Sequence, residues 1–326
     1  MSRIRFRRSA AAAFGAAAIT AFTALPAGAA TYSLLVFPDQ SHSSVYDFID
    51  SAQTSIDITM YELRDSTVVS DLANRKNAGV TVRVILDGQH TSVNGSAYSA
   101  LTAAGVGVTY SSSAFVYTHQ KTITVDHSTS LIISGNLDST YYPDDRDYAV
   151  FDNDANDVNA IENVFNADYA KTSVTPSDGD NLVWSPTDSQ TRLLGLINGA
   201  TSTLDIEELE FGDSALVNAI AAAENRGVNV RVVGMDPNSY RSYFNQVATA
   251  GGSIVTYSSS GGLYIHAKAI VADYGTSSAK AFVGSENFSD NSLNHNRELG
   301  LIVGDSGVVN GVENTFTTDF ANGTPY

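Results

Sequence analysis

Apolar and polar positions change their period along this chain, and each change marks an element. From Ser55 to Leu63 the apolar residues Ile56, Ile58 and Met60 alternate with polar ones, the two-residue period of a strand. Ser66–Asn77 switches to helical spacing, and Gly79 stops it. Val80–Leu86 is a short, nearly continuous apolar run, which predicts a strand buried in a sheet. Helix is expected over Ser96–Ala104, strand over Val106–Tyr110, and a hairpin from Thr122–Val125 and Ser130–Ile133. The same succession is predicted further on: strand Thr203–Phe211, helix Ala215–Asn225, strand Val228–Val233, helix Tyr240–Ala250, strand Ser253–Tyr257, and strands Ala269–Val271 and Ala281–Val283. Strand–helix–strand order implies an α/β fold, a largely parallel or mixed sheet with helices on both faces.

The succession repeats because the chain is written twice. Val36-Phe37-Pro38-Asp39 has a counterpart in Trp184-Ser185-Pro186-Thr187, 148 residues on. Ile56-Asp57-Ile58 through Glu62 matches Leu204-Asp205-Ile206 through Glu210 at the same offset, as does Gly79–Val84 against Gly227–Val232. A nearly constant offset over this distance points to duplication. The polar stretch Thr172–Asp180 is the expected boundary, giving an N-terminal domain over 31–175 and a C-terminal domain over 176–326.

The first thirty residues stand apart. Arg3, Arg5, Arg7 and Arg8 precede an apolar run from Ala10 to Leu25, followed by Pro26 and Ala27-Gly28-Ala29-Ala30. A basic start, a short apolar stretch and small residues at the end predict a secretory signal peptide, cleaved near Ala29/Ala30. Secretion to the extracellular space is therefore expected. The 326 residues carry 18 basic and 35 acidic side chains, a net charge of −17, and losing the four arginines leaves 14 against 35, or −21. That balance disfavours a protein that coats nucleic acid by bulk attraction. No cysteine is present, which excludes disulfides, thiolate metal sites and cysteine nucleophiles.

Chemistry concentrates at matched places in the two copies. Of only five lysines, two follow a histidine at the second position: His119-Gln120-Lys121 and His266-Ala267-Lys268. An aspartate stands five residues after each lysine, Asp126 and Asp273. Ser134-Gly135-Asn136 and Ser285-Glu286-Asn287 lie downstream, then Arg146-Asp147 and Arg297-Glu298, both pairs 151 residues apart. On a strand, His-x-Lys puts both side chains on one face. Imidazole can serve as nucleophile, base or acid near neutrality, and lysine supplies positive charge for an anion. Asp147 and Glu298 are candidates to orient one histidine each through its second nitrogen. Two such sets brought together suit a phosphodiester. Asp126 and Asp273 end strands, which favours a structural hydrogen-bonding role. Arg146 and Arg297 are expected either to serve the site or to pair with nearby acids. His42, His90, His127 and His295 have no repeated partner and are expected at the surface. Aromatic residues near the motifs, Phe115, Tyr117, Tyr141, Tyr142, Tyr264 and Phe288, are candidates for lipid contact or ordinary packing.

The doubled pattern resembles the phospholipase D superfamily, whose signature is His-x-Lys-x4-Asp followed by a Gly/Ser-Asn element. His119-x-Lys121-x4-Asp126 and His266-x-Lys268-x4-Asp273 both fit it, and the resemblance runs over essentially all of the chain beyond the leader. The first copy departs in having Ile133 where the second has Gly284. The resemblance implies two phospholipase-D-like α/β sandwich domains related by a pseudo-two-fold axis, one shared site, and catalysis without a metal or other cofactor. The six motif residues form the implied catalytic set. One histidine would attack phosphorus and form a phosphohistidine, and the other would protonate the leaving alcohol. The family pattern puts His119 in the first role and His266 in the second, while the sequence itself is symmetric. Lys121, Lys268, Ser134, Asn136, Ser285 and Asn287 would hold the phosphoryl oxygens.

The leading expectation is a secreted phospholipase D acting on phospholipids such as phosphatidylcholine at a membrane or micelle surface. It would release phosphatidic acid and an alcohol, with transfer to other alcohols if they compete with water. No stable protein partner is implied, and a monomer can be complete. The alternatives are a secreted endonuclease, a cardiolipin-synthase-like phosphatidyltransferase, and an inactive binding module, which two intact motifs argue against.

Overall fold

A computed structural model describes residues 30–326. The expected leader, residues 1–30, lies outside the described residues save for Ala30. Among them no helix is long and apolar enough to cross a membrane.

The first half runs β1 (Tyr32–Phe37), α1 (Ser43–Ser51), β2 (Ser55–Met60), α2 (Ser66–Asn77), β3 (Thr81–Leu86), α3 (Thr91–Ala103), β4 (Gly107–Tyr110), β5 (Thr122–Val125), β6 (Thr129–Ile133), β7 (Asp145–Asp152) and α4 (Ala155–Tyr169). The second runs β8 (Leu182–Ser185), α5 (Ser189–Gly199), β9 (Thr203–Glu208), α6 (Ser214–Asn225), β10 (Asn229–Met235), α7 (Arg241–Ala250), β11 (Ser253–Tyr257), β12 (Tyr264–Ile265), β13 (Lys268–Ala272), β14 (Lys280–Gly284), α8 (Asp290–Asn294), β15 (Glu298–Val303), α9 (Ser306–Asn322) and β16 (Thr324–Pro325).

The first sheet has the order β1-β7-β6-β5-β2-β3-β4, and the second repeats it as β8-β15-β14-β13-β9-β10-β11, with β16 added at the edge. In both, three strands are parallel (β2-β3-β4; β9-β10-β11) and the rest antiparallel. This is the expected mixed-sheet α/β fold, duplicated. The predicted alternation in β2 places Ile56, Ile58 and Met60 in one core with Val45 and Ile49 of α1, Val68 and Leu72 of α2, and Leu101 of α3. Gly79 ends α2 at φ +96°, a conformation that costs glycine no Cβ clash.

The other faces of the two sheets meet. Ile132, Tyr148 and Val150 of the first half share one buried cluster with Trp184, Ala269, Val283 and Leu299 of the second. Charge pairs cross the same seam. Arg146 Nε donates to Asp319 Oδ2 at 2.6 Å, and Arg297 Nε to Asp168 Oδ2 at 2.9 Å, each arginine reaching the final helix of the opposite half. Of the two readings open for these arginines, the structure places them in ion pairs.

Several elements escape the sequence reading: β1, α1, β7, α4, β8, α5, β15 and α9. Of these, β7 and β15 carry Asp147 and Glu298.

Candidate active site

Two loops knit the halves together where the motifs lie. β12 pairs with the start of β7, Tyr264 against Asp145 and Ile265 against Arg146, and His266 N donates to Arg146 O at 3.2 Å. The first half mirrors this, with His119 N and Gln120 N both donating to Arg297 O at 2.9 Å. Each histidine is thus stitched by backbone to the strand of the other half that carries the carboxylate.

The side chains cross accordingly. His119 Nδ1 pairs with Glu298 Oε2 at 2.7 Å, and His266 Nδ1 with Asp147 Oδ1 at 2.9 Å. Both carboxylates are buried, and the imidazoles are 12% and 13% exposed, so one edge of each ring reaches solvent. With Nδ1 held by a carboxylate, Nε2 of each ring is the atom left for chemistry.

Lys121 and Lys268 are fully buried, and each Nζ donates to the backbone oxygen of its own motif histidine, 2.6 Å for Lys121 to His119 O. Lys268 Nζ also lies 3.3 Å from His266 Nε2. Tyr61 packs edge-on against His119, ring centroids 4.5 Å apart, and its face lies 5.1 Å from Lys121 Nζ.

The electrostatics follow from burial. Removal from water, which disfavours a cation, pushes His119 down to about 4 even though Glu298 pulls the other way. His266 moves down for the same reason. Burial pushes Lys121 down to about 7, and Lys268 is lowered as well. Burial works to raise Asp147 and Glu298, but His266 and His119, with the lysines, hold both carboxyls below their ordinary values. Lys268 contributes to the depression of His119, and Lys121 to that of His266, so the two motifs act on one space.

Ser134 and Ser285, expected among the phosphate donors, are turned elsewhere. Ser134 Oγ donates to Asp147 Oδ1 at 2.6 Å and accepts from Tyr148 N. Ser285 Oγ donates to Glu298 Oε2 at 2.7 Å and accepts from Leu299 N. Each hydroxyl proton is engaged by a buried carboxylate, so neither is left for an anion. Ser292 and Asn296 complete the shell of Glu298, donating to Oε1 at 2.7 and 2.9 Å. Asn136 and Asn287 make no side-chain hydrogen bond among the described residues, which leaves their amides available.

Asp126 and Asp273 lie at the far ends of β5 and β13. Asp126 accepts from the backbone N–H groups of Gln53, Thr54 and Ser55, and Asp273 from those of Thr201 and Ser202. Both have φ above +50°, which aspartate tolerates better than most residues. The structure brings neither to the histidines.

The histidines expected at the surface divide. His127 and His295 are exposed, while His42 is half-buried in a stack between Phe37 and Tyr142, and His90 contacts Tyr61. Among the aromatic candidates, Phe288 is core, Tyr142 donates to Asp65 at 2.9 Å, and Phe115 lies under the Arg297 guanidinium. Gly135 was missed: a Cβ there would collide with the Asp147 carboxylate. Its one signal is the spacing Ser134-Gly135-Asn136 itself.

Among the described residues, two groups of donors could gather around a cation, Asp145/Asp147/His266 and Asp57/His127/Glu162. In the first, Asp147 is already held by His266 and Ser134, with Lys268 alongside. In the second, Asp57 is taken by Arg83 in a two-pronged pair. Neither arrangement favours a metal over the partners present.

Crossed imidazole–carboxylate pairs over two buried ammonium groups, on a duplicated α/β frame, define a class of enzymes that act on phosphodiesters. The model of the family described as "Cardiolipin synthase, PLD-like domain" matches residues 45–169 and 193–320, well over half of the chain. The chain belongs to this family, within the phospholipase D superfamily. The mitochondrial cardiolipin hydrolase of Danio rerio is 30% identical over 100 residues, 31% of this chain and 43% of that protein, so less than half of that relative's length is spanned. Among solved structures, the polyphosphate kinase of Porphyromonas gingivalis superposes with a TM-score of 0.70 at 14% identity, over 89% of this chain and 50% of that one. The phosphatidylserine synthase of Haemophilus influenzae superposes at 0.66 and 13% identity, over 85% and 83%. At such identities the likeness is one of fold.

Proposed function

We propose that this protein is a secreted phospholipase D, hydrolysing phospholipids such as phosphatidylcholine through a phosphohistidine. The observation that carries the reading is the pair of crossed dyads, His119–Glu298 and His266–Asp147, over Lys121 and Lys268. His119 Nε2 attacks phosphorus and the P–O bond to the headgroup breaks. His266 Nε2–H gives its proton to the departing alkoxide. Water then attacks phosphorus and passes a proton to His266, the N–P bond breaks, and phosphatidic acid leaves. Splitting the displacement in two is the gain of covalent catalysis. The lysines and the amides of Asn136 and Asn287 stabilise the charge on the phosphoryl oxygens.

Two features favour a lipid over a polynucleotide. The net charge of −17 opposes approach of a polyanion. Val116 and Tyr141, 44% and 45% exposed, stand on the loops before His119 and after Asn136, where they offer apolar contact to a lipid surface. An alcohol in place of water at the second step gives phosphatidyl transfer, the reading that the family's name favours.

The test is a paired assay in EDTA with phosphatidylcholine vesicles, read for choline, and plasmid DNA, read for nicking. Choline release without nicking is expected. His119→Ala should lower it by about 10⁴-fold or more. Nicking without choline release overturns the lipid reading, and substantial turnover by His119→Ala overturns the covalent step. Export is checked by the N-terminus of the protein recovered from culture medium, expected just after Ala29 or Ala30.

A further inference from the structure

The two seams between the halves are built alike and closed differently. β1 pairs Phe37 with Asp147 as β8 pairs Ser185 with Glu298, so the residues two further on, Asp39 and Thr187, stand at matching places. In the first seam every nitrogen of the Arg146 guanidinium is engaged. Nε and Nη2 donate to Asp319, while Nη1 donates to Phe37 O at 2.9 Å and lies 3.0 Å from Asp39 Oδ2. In the second seam Arg297 gives Nε and Nη2 to Asp168, and Nη1 makes no hydrogen bond among the described residues. Thr187 brings no carboxylate to it. A cavity of about 330 Å³ opens there, bordered by Arg297, Lys171, Thr187, Phe115, Val174 and Pro186. Lys171, three residues past Asp168, stands where the first seam has Asn322, three past Asp319. The first seam thus sets one guanidinium between two carboxylates, and the second sets a guanidinium and an ammonium beside one.

We infer that this cavity binds a small carboxylate carrying a short apolar chain, which takes at Arg297 the place that Asp39 takes at Arg146. Arg297 is only 3% exposed, and a donor left unpaired on a buried guanidinium favours an acceptor brought to it. The ligand's carboxylate accepts from Nη1 and from the Lys171 ammonium, both charge-assisted bonds. Asp168 also borders the cavity, but its two oxygens are taken by Nε and Nη2. Phe115, whose ring lies 4.2 Å from the guanidinium carbon, forms the apolar wall with Val174 and Pro186. The cavity lies behind the reacting groups. Arg297 turns its backbone oxygen to His119 N and its side chain away to Asp168, so this ligand is independent of the diester that is cleaved.

Trp184 is the single tryptophan of the chain, and its ring centroid lies 6.0 Å from the Arg297 guanidinium carbon, so its fluorescence reads the cavity. The protein is titrated at pH 7 with sodium acetate and with sodium butyrate, against sodium chloride at equal ionic strength. Both carboxylates should give a saturable change that chloride does not. Acetate should bind with a Kd of roughly 1–10 mM, the reach of two ion pairs at a half-open site. Butyrate should bind about threefold to tenfold more tightly through the apolar wall. Thr187→Asp supplies the missing carboxylate from the chain itself and should abolish the response. Thr187→Asn should keep it, and Lys171→Gln should weaken it severalfold. No saturable response by the wild-type protein overturns the site. A response that Thr187→Asp leaves unchanged overturns it too, because the carboxylate then binds elsewhere. Loss of the response in Thr187→Asn as well overturns the charge argument, and equal affinity for acetate and butyrate overturns the apolar wall.

Discussion

Asp126 carries a motif position without touching the reacting groups, and its chemistry is that of a turn. Its carboxylate gathers three backbone N–H groups at Gln53–Ser55. Partial burial works to raise it, but those hydrogen bonds hold its pKa below the usual range. A carboxyl depressed by folding stabilises the protein above its unfolded pKa, and that stability is lost as pH falls through the folded value. Asp126→Asn should therefore cost about 1–3 kcal/mol in urea denaturation at pH 7, with less difference near pH 3. The kcat of the folded variant should stay within about twofold of wild type. A loss of kcat by orders of magnitude with stability unchanged would put Asp126 in the chemistry instead. Ser134 is the reverse case, buried against Asp147 and distant in sequence from the histidine it serves. Ser134→Ala removes a donor to the carboxylate that orients His266, so kcat should fall about tenfold while KM holds. If Ser134 bound phosphate directly, KM would rise.

At the scale of elements, the site depends on strands that begin with charged residues. β7 opens Asp-Arg-Asp and β15 opens on glutamate, directly after an arginine. Those residues break the apolar pattern that marks strands in sequence, which is why β2, β3, β5 and β6 were legible and β7 and β15 were not. The motif residues themselves were legible because they recur on a fixed offset. Their crossing was not, since either acid could have served either histidine until β12 paired with β7. The Arg297–Asp168 pair locks the mirror-image seam, with Arg297 only 3% exposed and its guanidinium 4.2 Å from the Phe115 ring centroid. Arg297→Met leaves the half-buried Asp168 without its partner and should cost about 2–4 kcal/mol. Adding Asp168→Leu should restore most of that loss, since two apolar side chains replace a buried pair with little penalty. Denaturation midpoints of the two singles and the double measure it. Additive losses would show that the pair has no coupling across the seam.

For the whole molecule, one set of buried groups ties both activity and stability to pH. In the proposed mechanism, turnover from the free enzyme needs His119 unprotonated and His266 protonated. Burial lowers both histidines, His119 to about 4, and lowers Lys121 to about 7. As pH rises past 4, His119 becomes a nucleophile and kcat/KM climbs. Further rise strips the proton from His266 below its ordinary value of about 6.5, and then the charge from Lys121, so kcat/KM falls. Its maximum should lie between about pH 4 and 6.5, and an optimum above about 7.5 would contradict this order of titration. Stability depends on the same imidazole. Between about 4 and 6.5 the unfolded chain binds a proton at residue 119 that the folded protein does not, so stability from this group increases with pH across that window and is lost on acidification. The steepest contribution of one such proton is about 1.4 kcal/mol per pH unit. His119→Gln removes it, and urea denaturation from pH 4 to 6.5 should then show a shallower rise than the wild-type protein. An unchanged slope would mean that residue 119 titrates alike in both states and that its burial is not what holds the imidazole neutral.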